Sequence, residues 1–151
     1  MKMKIIILIA TALTCSMLLH AQDTFNFTFN HIALSVKDVQ ASAEFYKKVL
    51  QLKEITNRTG NDARRWLSLG EDKELHLISD LNEPVTINKA VHLALTTKNF
   101  DAFVNRLREM KIKFSDWPGK PNTVNIRADG IKQIFLQDID GYWIEVNSVK
   151  E

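Results

Sequence analysis

The chain has 151 residues, of which 45% are hydrophobic and 25% are charged. This length suits one domain, and the composition excludes an intrinsically disordered, collagen-like or disulfide-rich protein. The formal net charge is +2, but its excess lies in the first residues, where Lys2 and Lys4 precede a hydrophobic run.

Residues 1–21 have the pattern of a cleaved export signal. Two lysines precede an apolar stretch over residues 5–19, and Ala21 is a small residue at the predicted cleavage position. A retained membrane anchor fits less well, because this stretch is interrupted by Thr, Ser and Cys and is shorter than the roughly 18–20 residues of a spanning helix. Cys15 is a weak candidate for lipidation, because the residues before it do not match the usual acceptor pattern. We therefore expect a secreted or periplasmic protein without a membrane segment after cleavage.

Removal of the signal leaves a formally neutral protein. Lys2 and Lys4 are lost, so 18 basic and 18 acidic side chains remain among 130 residues. A neutral chain has no electrostatic reason to bind nucleic acid. Cys15 is the only cysteine, so neither a disulfide nor a thiolate is expected in the mature protein. Residues 22–29 are expected to form an extended tail, and residues 30–151 a single domain.

A repeat with an offset of 61 residues organises this domain. Residues 31–38 (HIALSVKD) align with residues 92–99 (HLALTTKN), and each copy is predicted to be a strand followed by an amphipathic helix. Asp38 and Asn99 are predicted to cap these helices. The buried helical stripes are predicted at Val39, Ala43, Tyr46 and Val49 or Leu50, and at Phe100, Phe103 or Val104, Leu107 and Met110.

Short strands are predicted to follow each helix. In the first half they cover residues 53–57, 64–69 and 73–79, and in the second half residues 113–117, 124–127, 133–137 and 142–147. Tight turns are predicted at residues 70–72, 129–130 and 140–141. The domain is thus expected to contain module one (30–81) and module two (90–148), joined by a linker over residues 82–89.

Four ionisable residues lie in the middle of predicted strands, on the face opposite the core-facing residues: His31, His76, His92 and Glu145. Successive strand residues point to opposite faces, so the apolar neighbours of each residue pack on the helix. Each histidine alone is typical of a surface or hydrogen-bonded scaffold residue. Together, three imidazoles and one carboxylate predict a divalent metal site, with Zn, Ni, Mn, Co or Fe(II) as possible ions.

Three segments carry a resemblance to a known family: residues 30–36 (NHIALSV), 45–50 (FYKKVL) and 135–146 (FLQDIDGYWIEV). They resemble the vicinal oxygen chelate superfamily, which includes glyoxalase I, bleomycin-resistance proteins, extradiol dioxygenases and fosfomycin-modifying enzymes. The resemblance covers about residues 29–148. It implies an α+β fold in which two tandem βαβββ modules form an open, cup-shaped mixed sheet.

The resemblance also implies ligand sets. The glyoxalase I pattern maps onto His31, His76, His92 and Glu145, but it usually has glutamate where this chain has His76. Glu145 is therefore the expected catalytic base, and His76 the second choice. The fosfomycin and extradiol patterns use two histidines and one carboxylate, matching His31, His92 and Glu145, which would leave His76 as a pocket or acid/base residue. Ile139 replaces the usual proline of the Asp-Pro-Asp-Gly turn.

Substrate contacts are predicted on the same faces. Strand alternation directs Trp66, Ser68, Phe135, Trp143 and Asn147 toward the cup, with Arg64, Asn125 and Arg127 at its rim. An arginine at the rim would suit an anionic substrate. The aromatic residues are equally well explained as side chains that fill space.

The expected function is that of an exported, metal-dependent lyase or isomerase resembling lactoylglutathione lyase. It would chelate two adjacent oxygens of a small molecule and stabilise an enolate or oxyanion. The alternatives are an Fe(II) ring-cleaving type of dioxygenase and a non-catalytic small-molecule binding or resistance protein. A homodimer is expected, with the cup built within one chain or across two swapped chains.

Overall fold

A computed structural model describes residues 27–81, 83 and 85–150. The predicted signal peptide and the first residues of the predicted tail lie outside this part of the chain. The first module contains β1 (His31–Ser35), α1 (Val39–Val49), β2 (Lys53–Ile55), β3 (Arg64–Gly70) and β4 (Lys73–Ile78). The second contains β5 (His92–Thr97), α2 (Phe100–Glu109), β6 (Phe114–Ser115), β7 (Asn125–Ile126), β8 (Lys132–Gln137) and β9 (Trp143–Ser148). Neither helix in the described ranges has the length and apolar character needed to cross a membrane.

Each module forms its own open sheet. The strand order is β1-β4-β3-β2 in the first sheet and β5-β9-β8-β6 in the second, where β7 also pairs with β8. In both sheets the first strand is parallel to the last strand, while the other pairs are antiparallel. The predicted α+β fold with two tandem, open modules is therefore confirmed.

The register shows that the two modules are copies of one another. His31 is aligned with Glu74 and Ala33 with His76 in the first sheet, while His92 is aligned with Trp143 and Ala94 with Glu145 in the second. The next strand then places Trp66 beside His76 and Phe135 beside Glu145. His76 and Glu145 thus occupy equivalent positions, on the face opposite the core.

The core lies between the sheets and the two helices. Its fully buried members include Ala43, Tyr46, Leu67, Leu75, Leu77, Leu107, Ile134 and Ile144. In α2 the buried stripe contains Phe100, Val104 and Leu107, so Val104 rather than Phe103 continues it. Leu34 in β1 and Val36 just after it are also buried, which agrees with the face that was predicted to pack against the helix.

The two predicted helix caps differ. The Asp38 side chain accepts hydrogen bonds from the backbone N–H groups of Gln40 and Ala41, which are otherwise unpaired at a helix start. Asn99 is the N-cap residue of α2, as predicted, but its side chain makes no capping hydrogen bond. Its backbone N–H instead donates to the Thr97 hydroxyl, which gives the chain another way to turn into α2.

The turn between β8 and β9 joins the two modules. The Tyr46 hydroxyl donates to Asp138 Oδ2 at 2.7 Å, and Asp138 Oδ1 accepts the backbone N–H groups of Asp140 and Tyr142. Burial raises the pKa of Asp138, although the Tyr46 hydrogen bond opposes the shift. Ile139, which stands where the resemblance predicts proline, is exposed at this turn.

Strand boundaries were predicted less well than strand identity. Strands β2, β6 and β7 are shorter than expected, with three, two and two residues respectively. β6 and β7 pair with different parts of β8, so two short strands occupy the position that one edge strand holds in module one. Between β3 and β4, Glu71 and Asp72 both have positive φ, as a tight hairpin turn requires.

Candidate functional site

In module one, the predicted ligands His31 and His76 form part of a stack of rings. The His76 ring lies parallel to the Trp66 ring, with centroids 4.1 Å apart, and the His31 ring stacks on its other face at 4.3 Å. The Arg58 guanidinium lies 4.5 Å from the Trp66 ring centroid, a cation–π contact. Both faces of His76 are therefore covered, and only the edge of the ring, with its two nitrogens, can form polar contacts.

The ring edge of His76 is bound to a neighbouring carboxylate. His76 Nε2 lies 2.7 Å from Glu74 Oε2, and Arg58 donates to the other oxygen of Glu74 at 2.8 Å. These two hydrogen bonds lower the pKa of Glu74, with His76 as the larger cause. Since an ionised carboxylate only accepts hydrogen bonds, His76 Nε2 carries a proton and Nδ1 is the nitrogen left for other chemistry.

In module two, the predicted ligands His92 and Glu145 form a direct pair. His92 Nε2 lies 3.1 Å from Glu145 Oε2, while His92 Nδ1 lies 2.9 Å from the backbone carbonyl oxygen of Lys89. A carbonyl oxygen only accepts, so Nδ1 carries a proton. In the neutral imidazole the Nε2 lone pair would then face a carboxylate oxygen. A cation bound by both atoms would satisfy the nitrogen lone pair and the carboxylate oxygen together.

Lys89 closes one end of this site. Its ammonium donates to the Ser115 hydroxyl and to the backbone carbonyls of Asp116 and Trp117, and it lies 4.4 Å from the Phe135 ring centroid. Burial lowers the pKa of Lys89. One residue thus fixes the His92 ring through its backbone and anchors the loop after β6 through its side chain. Sequence reasoning missed Lys89, because a lysine in a predicted linker carries no periodic signal.

The donor chemistry of the module-two pair fits a divalent cation. Metal-binding histidines typically donate their second ring N–H to a backbone carbonyl or carboxylate, and His92 does so toward Lys89. His31 has the same arrangement, since its Nδ1 lies 2.7 Å from the Asn30 side-chain oxygen. Within the described part of a single chain, however, no three His, Cys, Asp or Glu side chains are grouped so that they could hold a metal ion. One chain brings the four predicted ligands together as two pairs.

The predicted substrate-contact residues share these faces, but most have partners already. Trp66 is buried in the ring stack and Phe135 is buried beside Lys89. Arg64 pairs with Asp80 at 2.9 Å and Arg127 with Asp129 at 3.1 Å, so each guanidinium already has an anionic partner. Of the other four, Ser68 accepts from the Gly70 backbone and Trp143 is partly exposed. Asn125 and Asn147 donate to Gln133 and Glu145 respectively.

Two further residues near the site follow from the same alternation of strand faces. Gln133 and Phe135 on β8 face Asn147 and Glu145 on β9, and Glu74 lies two residues from His76. A period of two extended by one more position would have identified Gln133 and Glu74. Trp117 packs at 5.3 Å from Phe135, a contact between a loop and a strand that no spacing predicts.

Two open βαβββ-type modules, each with titratable residues on the face away from its helix, define a class of two-module α+β proteins. Residues 28–146 match the model of the Glyoxalase/Bleomycin resistance protein/Dioxygenase superfamily, and the chain belongs to this superfamily. The resemblance seen in the sequence is thereby confirmed.

Individual relatives carry different activities in their names. Metallothiol transferase FosB of Staphylococcus epidermidis is 24% identical over 123 residues, which are 79% of this chain and 80% of that protein. The structure of a glyoxalase/dioxygenase from Nostoc punctiforme has 27% identity and a TM-score of 0.65, covering 82% of this chain and 92% of that one. Lactoylglutathione lyase from Agrobacterium tumefaciens has 18% identity and a TM-score of 0.62, covering 82% and 94%. The last of these likenesses concerns the fold alone.

Proposed function

We propose that this protein is a metal-dependent lyase or isomerase of glyoxalase type, which acts on a small substrate with two adjacent oxygens. The observation that carries the proposal is the His92–Glu145 pair, in which a nitrogen and a carboxylate oxygen face each other at 3.1 Å. The proton on His92 Nδ1 leaves the Nε2 lone pair available to a cation. The resemblance to a relative named as a metallothiol transferase supports the metal dependence.

The proposed metal-binding residues are His31, His92 and Glu145. His31 and His92 each have Nδ1 held by an oxygen acceptor, so each presents Nε2. His76 was also predicted as a ligand, and its Nε2 proton donates to Glu74, which leaves Nδ1 for a cation or a proton. We assign His76 to proton transfer, because the other three residues already form a set of two histidines and one carboxylate. The identity of the ion stays among Zn, Ni, Mn, Co and Fe(II), because histidine and glutamate suit all of these.

A bound divalent ion would supply Lewis-acid polarisation of the substrate oxygens. His76 would take up and return the substrate proton at Nδ1, because Nε2 is bound to the Glu74 carboxylate and Nδ1 is the remaining ring nitrogen. Glu145, predicted as the base from the sequence, has Oε1 bound to Asn147 and Oε2 beside His92. Glu145 is therefore better placed to bind a metal ion than to transfer a proton.

We also propose that the two pairs of ligands are united across a homodimer, with His31 from one chain and His92 and Glu145 from the other. The support is that the described part of one chain contains two separate pairs and no group of three. A shared site would make the protein active only as an assembly of two copies.

Mixed dimers test this arrangement. One variant carries His31→Ala and the other carries His92→Ala with Glu145→Ala, and each alone should bind no metal. If the site is shared between chains, co-refolding the two variants should restore one intact site per mixed dimer, measured as bound Zn²⁺ by elemental analysis. If each chain builds its own site, the mixture should stay metal-free. A wild-type protein that retains no divalent ion under any loading condition would refute the proposed function itself.

Oxygen-dependent chemistry is a second candidate. Two histidines and one carboxylate are the ligands of many non-haem Fe(II) oxygenases, and His31, His92 and Glu145 form a set of this kind. Oxygen consumption with Fe(II) and a catechol would support this candidate. Conversion of 2-oxoaldehydes or keto acids with Zn²⁺, Ni²⁺ or Co²⁺ and without oxygen would support the lyase or isomerase.

Export is part of the proposal. The N-terminal pattern of residues 1–21 supports it, and glutathione is mainly a cytosolic thiol, so an exported enzyme would act on another substrate. N-terminal sequencing of the protein recovered outside the cytoplasm should begin near Gln22. Recovery of the uncleaved chain from the cytoplasm would contradict export without affecting the metal site.

A further inference from the structure

A row of three side-chain amides ends on the carboxylate of Glu145. Asn147 Nδ2 donates to Glu145 Oε1 at 2.7 Å, Gln133 Nε2 donates to Asn147 Oδ1 at 3.3 Å, and Asn125 Nδ2 donates to Gln133 Oε1 at 3.4 Å. Glu145, Gln133 and Asn147 are each only 8% exposed. Buried polar groups cost free energy unless they are hydrogen-bonded, and this row provides those bonds.

The carboxylate fixes the direction of the whole row. An ionised carboxylate has no proton to donate, so Asn147 must turn its NH₂ group toward Glu145. The Asn147 oxygen then faces Gln133, which must in turn present its own NH₂ group. The same reasoning orients Asn125. Each amide is therefore set by its neighbour, and the row has a single consistent direction.

This row is a feature of module two only. In the aligned registers, Gln133 and Asn147 lie opposite each other, and the equivalent pair in module one is Arg64 and Ile78. Arg64 forms an ion pair with Asp80 instead, and isoleucine has no hydrogen-bonding side chain. The module that carries the carboxylate is thus the one that carries the amides.

Building on the proposed function, we infer that Asn147, oriented by Gln133, is a positioning residue that holds Glu145 as a one-oxygen metal ligand. Asn147 occupies Oε1, so only Oε2 is presented beside His92 Nε2. A carboxylate that binds through one oxygen uses one coordination position rather than two. This leaves an additional position for the substrate, as a site that chelates two oxygens requires.

Gln133→Glu tests the inference because two physical effects predict opposite results. Glutamate at this position can only accept a hydrogen bond, so its carboxylate would compete with Glu145 for the Asn147 NH₂ group, and no donor would remain to hold the Asn147 oxygen. The positioning inference then predicts weaker metal binding. Simple electrostatics predicts stronger binding, because a negative charge has been added near a cation site.

The measurement is the dissociation constant of Co²⁺ for the purified full-length protein, by competition with a chromophoric chelator. Gln133→Glu should bind Co²⁺ about 10–100-fold more weakly than wild type, the usual effect of losing a partner of a metal ligand. Gln137→Glu, which adds the same charge on the same strand outside the amide row, should bind within about threefold of wild type. Unchanged or tighter binding by Gln133→Glu would overturn the inference.

Asn147→Leu provides a second route should Gln133→Glu fail to fold, since leucine has a similar size and no donor. It should weaken Co²⁺ binding by a similar factor, and unchanged affinity would contradict the inference.

A wild-type protein that binds no Co²⁺ refutes the proposed function instead. In that case NMR of the metal-free protein decides: the Asn147 side-chain NH₂ should exchange more slowly with water than that of the exposed Asn122, and equal rates would overturn the amide row.

Discussion

Modules one and two share a backbone pattern but stabilise their open faces in different ways. In module one, Trp66 and His76 stack face to face, with Arg58 and His31 at the two ends. In module two, the equivalent positions hold Phe135 and Glu145, and hydrogen bonds replace ring stacking. Duplication therefore determines where the functional residues lie, whereas the packing around each determines whether its ring face or its polar edge is available.

The largest expected effect concerns the ring stack. Trp66→Ala should lower the free energy of unfolding by about 3–5 kcal/mol, because a large buried ring is lost from a packed site. Trp117 lies in a loop of module two and is 48% exposed, so Trp117→Ala should cost less than about 1 kcal/mol. Chemical denaturation of both variants measures the difference. Equal losses would show that the two modules depend on their tryptophans in the same way.

The next effect concerns metal affinity. Glu145→Gln should weaken Zn²⁺ binding by about 100-fold or more, since loss of a ligand exceeds the 10–100-fold effect of losing a ligand's partner. His76→Gln, at the equivalent position of module one, should retain affinity within about tenfold while losing proton transfer. Calorimetric titration of both variants makes the comparison. A larger loss for His76→Gln would restore His76 as a metal ligand.

A pH-dependent effect is expected at the turn that joins the modules. Burial raises the pKa of Asp138 above its ordinary value of 3.8, so the folded state keeps a proton that the unfolded state has released. Stability contributed by this group is therefore present below pH 3.8 and is lost as the pH rises through the folded pKa. Relative to Asp138→Asn, wild type should lose unfolding free energy over that range.

Denaturation curves collected from acid to neutral pH would detect this trend. The exposed Asp129 provides the control, because Asp129→Asn should leave the slope of stability against pH unchanged from wild type. A wild-type advantage over Asp138→Asn that grows with pH would show that the hydrogen bonds at this turn outweigh the burial of the carboxylate.

The smallest expected effect is at the exposed end of the stack. Arg58→Met should cost about 0.5–1 kcal/mol, because it removes a cation–π contact and an ion pair made by a largely exposed guanidinium. Arg127→Met, which removes an exposed ion pair from module two, should cost no more than about 0.5 kcal/mol. Thermal unfolding resolves whether Arg58 is the more important arginine. The opposite ranking would mean that the stack does not depend on its cation.

The sequence predicted most of the fold because its signals are local. Alternation along the strands identified Leu34, Leu75, Leu77, Ile144 and Val146 as core residues, and all are buried. The helical stripe placed Ala43 and Tyr46 in the core in the same way. The same strand alternation failed at Val91, which it placed in the core beside His92 but which precedes β5 and is 65% exposed.

The site was predicted in part. The offset of 61 residues and the strand period identified His31, His76, His92 and Glu145, and the register places each of them on the face opposite the core. Their partners were harder to predict. Lys89 reaches His92 from the linker, and Arg58 reaches Trp66 from a loop, and neither contact follows from the periodicity of a strand or helix.

The bonds at the turn between β8 and β9 make each half of the protein dependent on the other. Ser42 and Tyr46, from the first half, satisfy the carboxylates of Asp140 and Asp138 in the second, and Tyr142 donates to the backbone of Ser35 in return. Cutting the chain in the linker would leave these groups unpaired in either fragment. The two halves are therefore complementary, because each contains polar groups whose hydrogen-bond partners lie in the other.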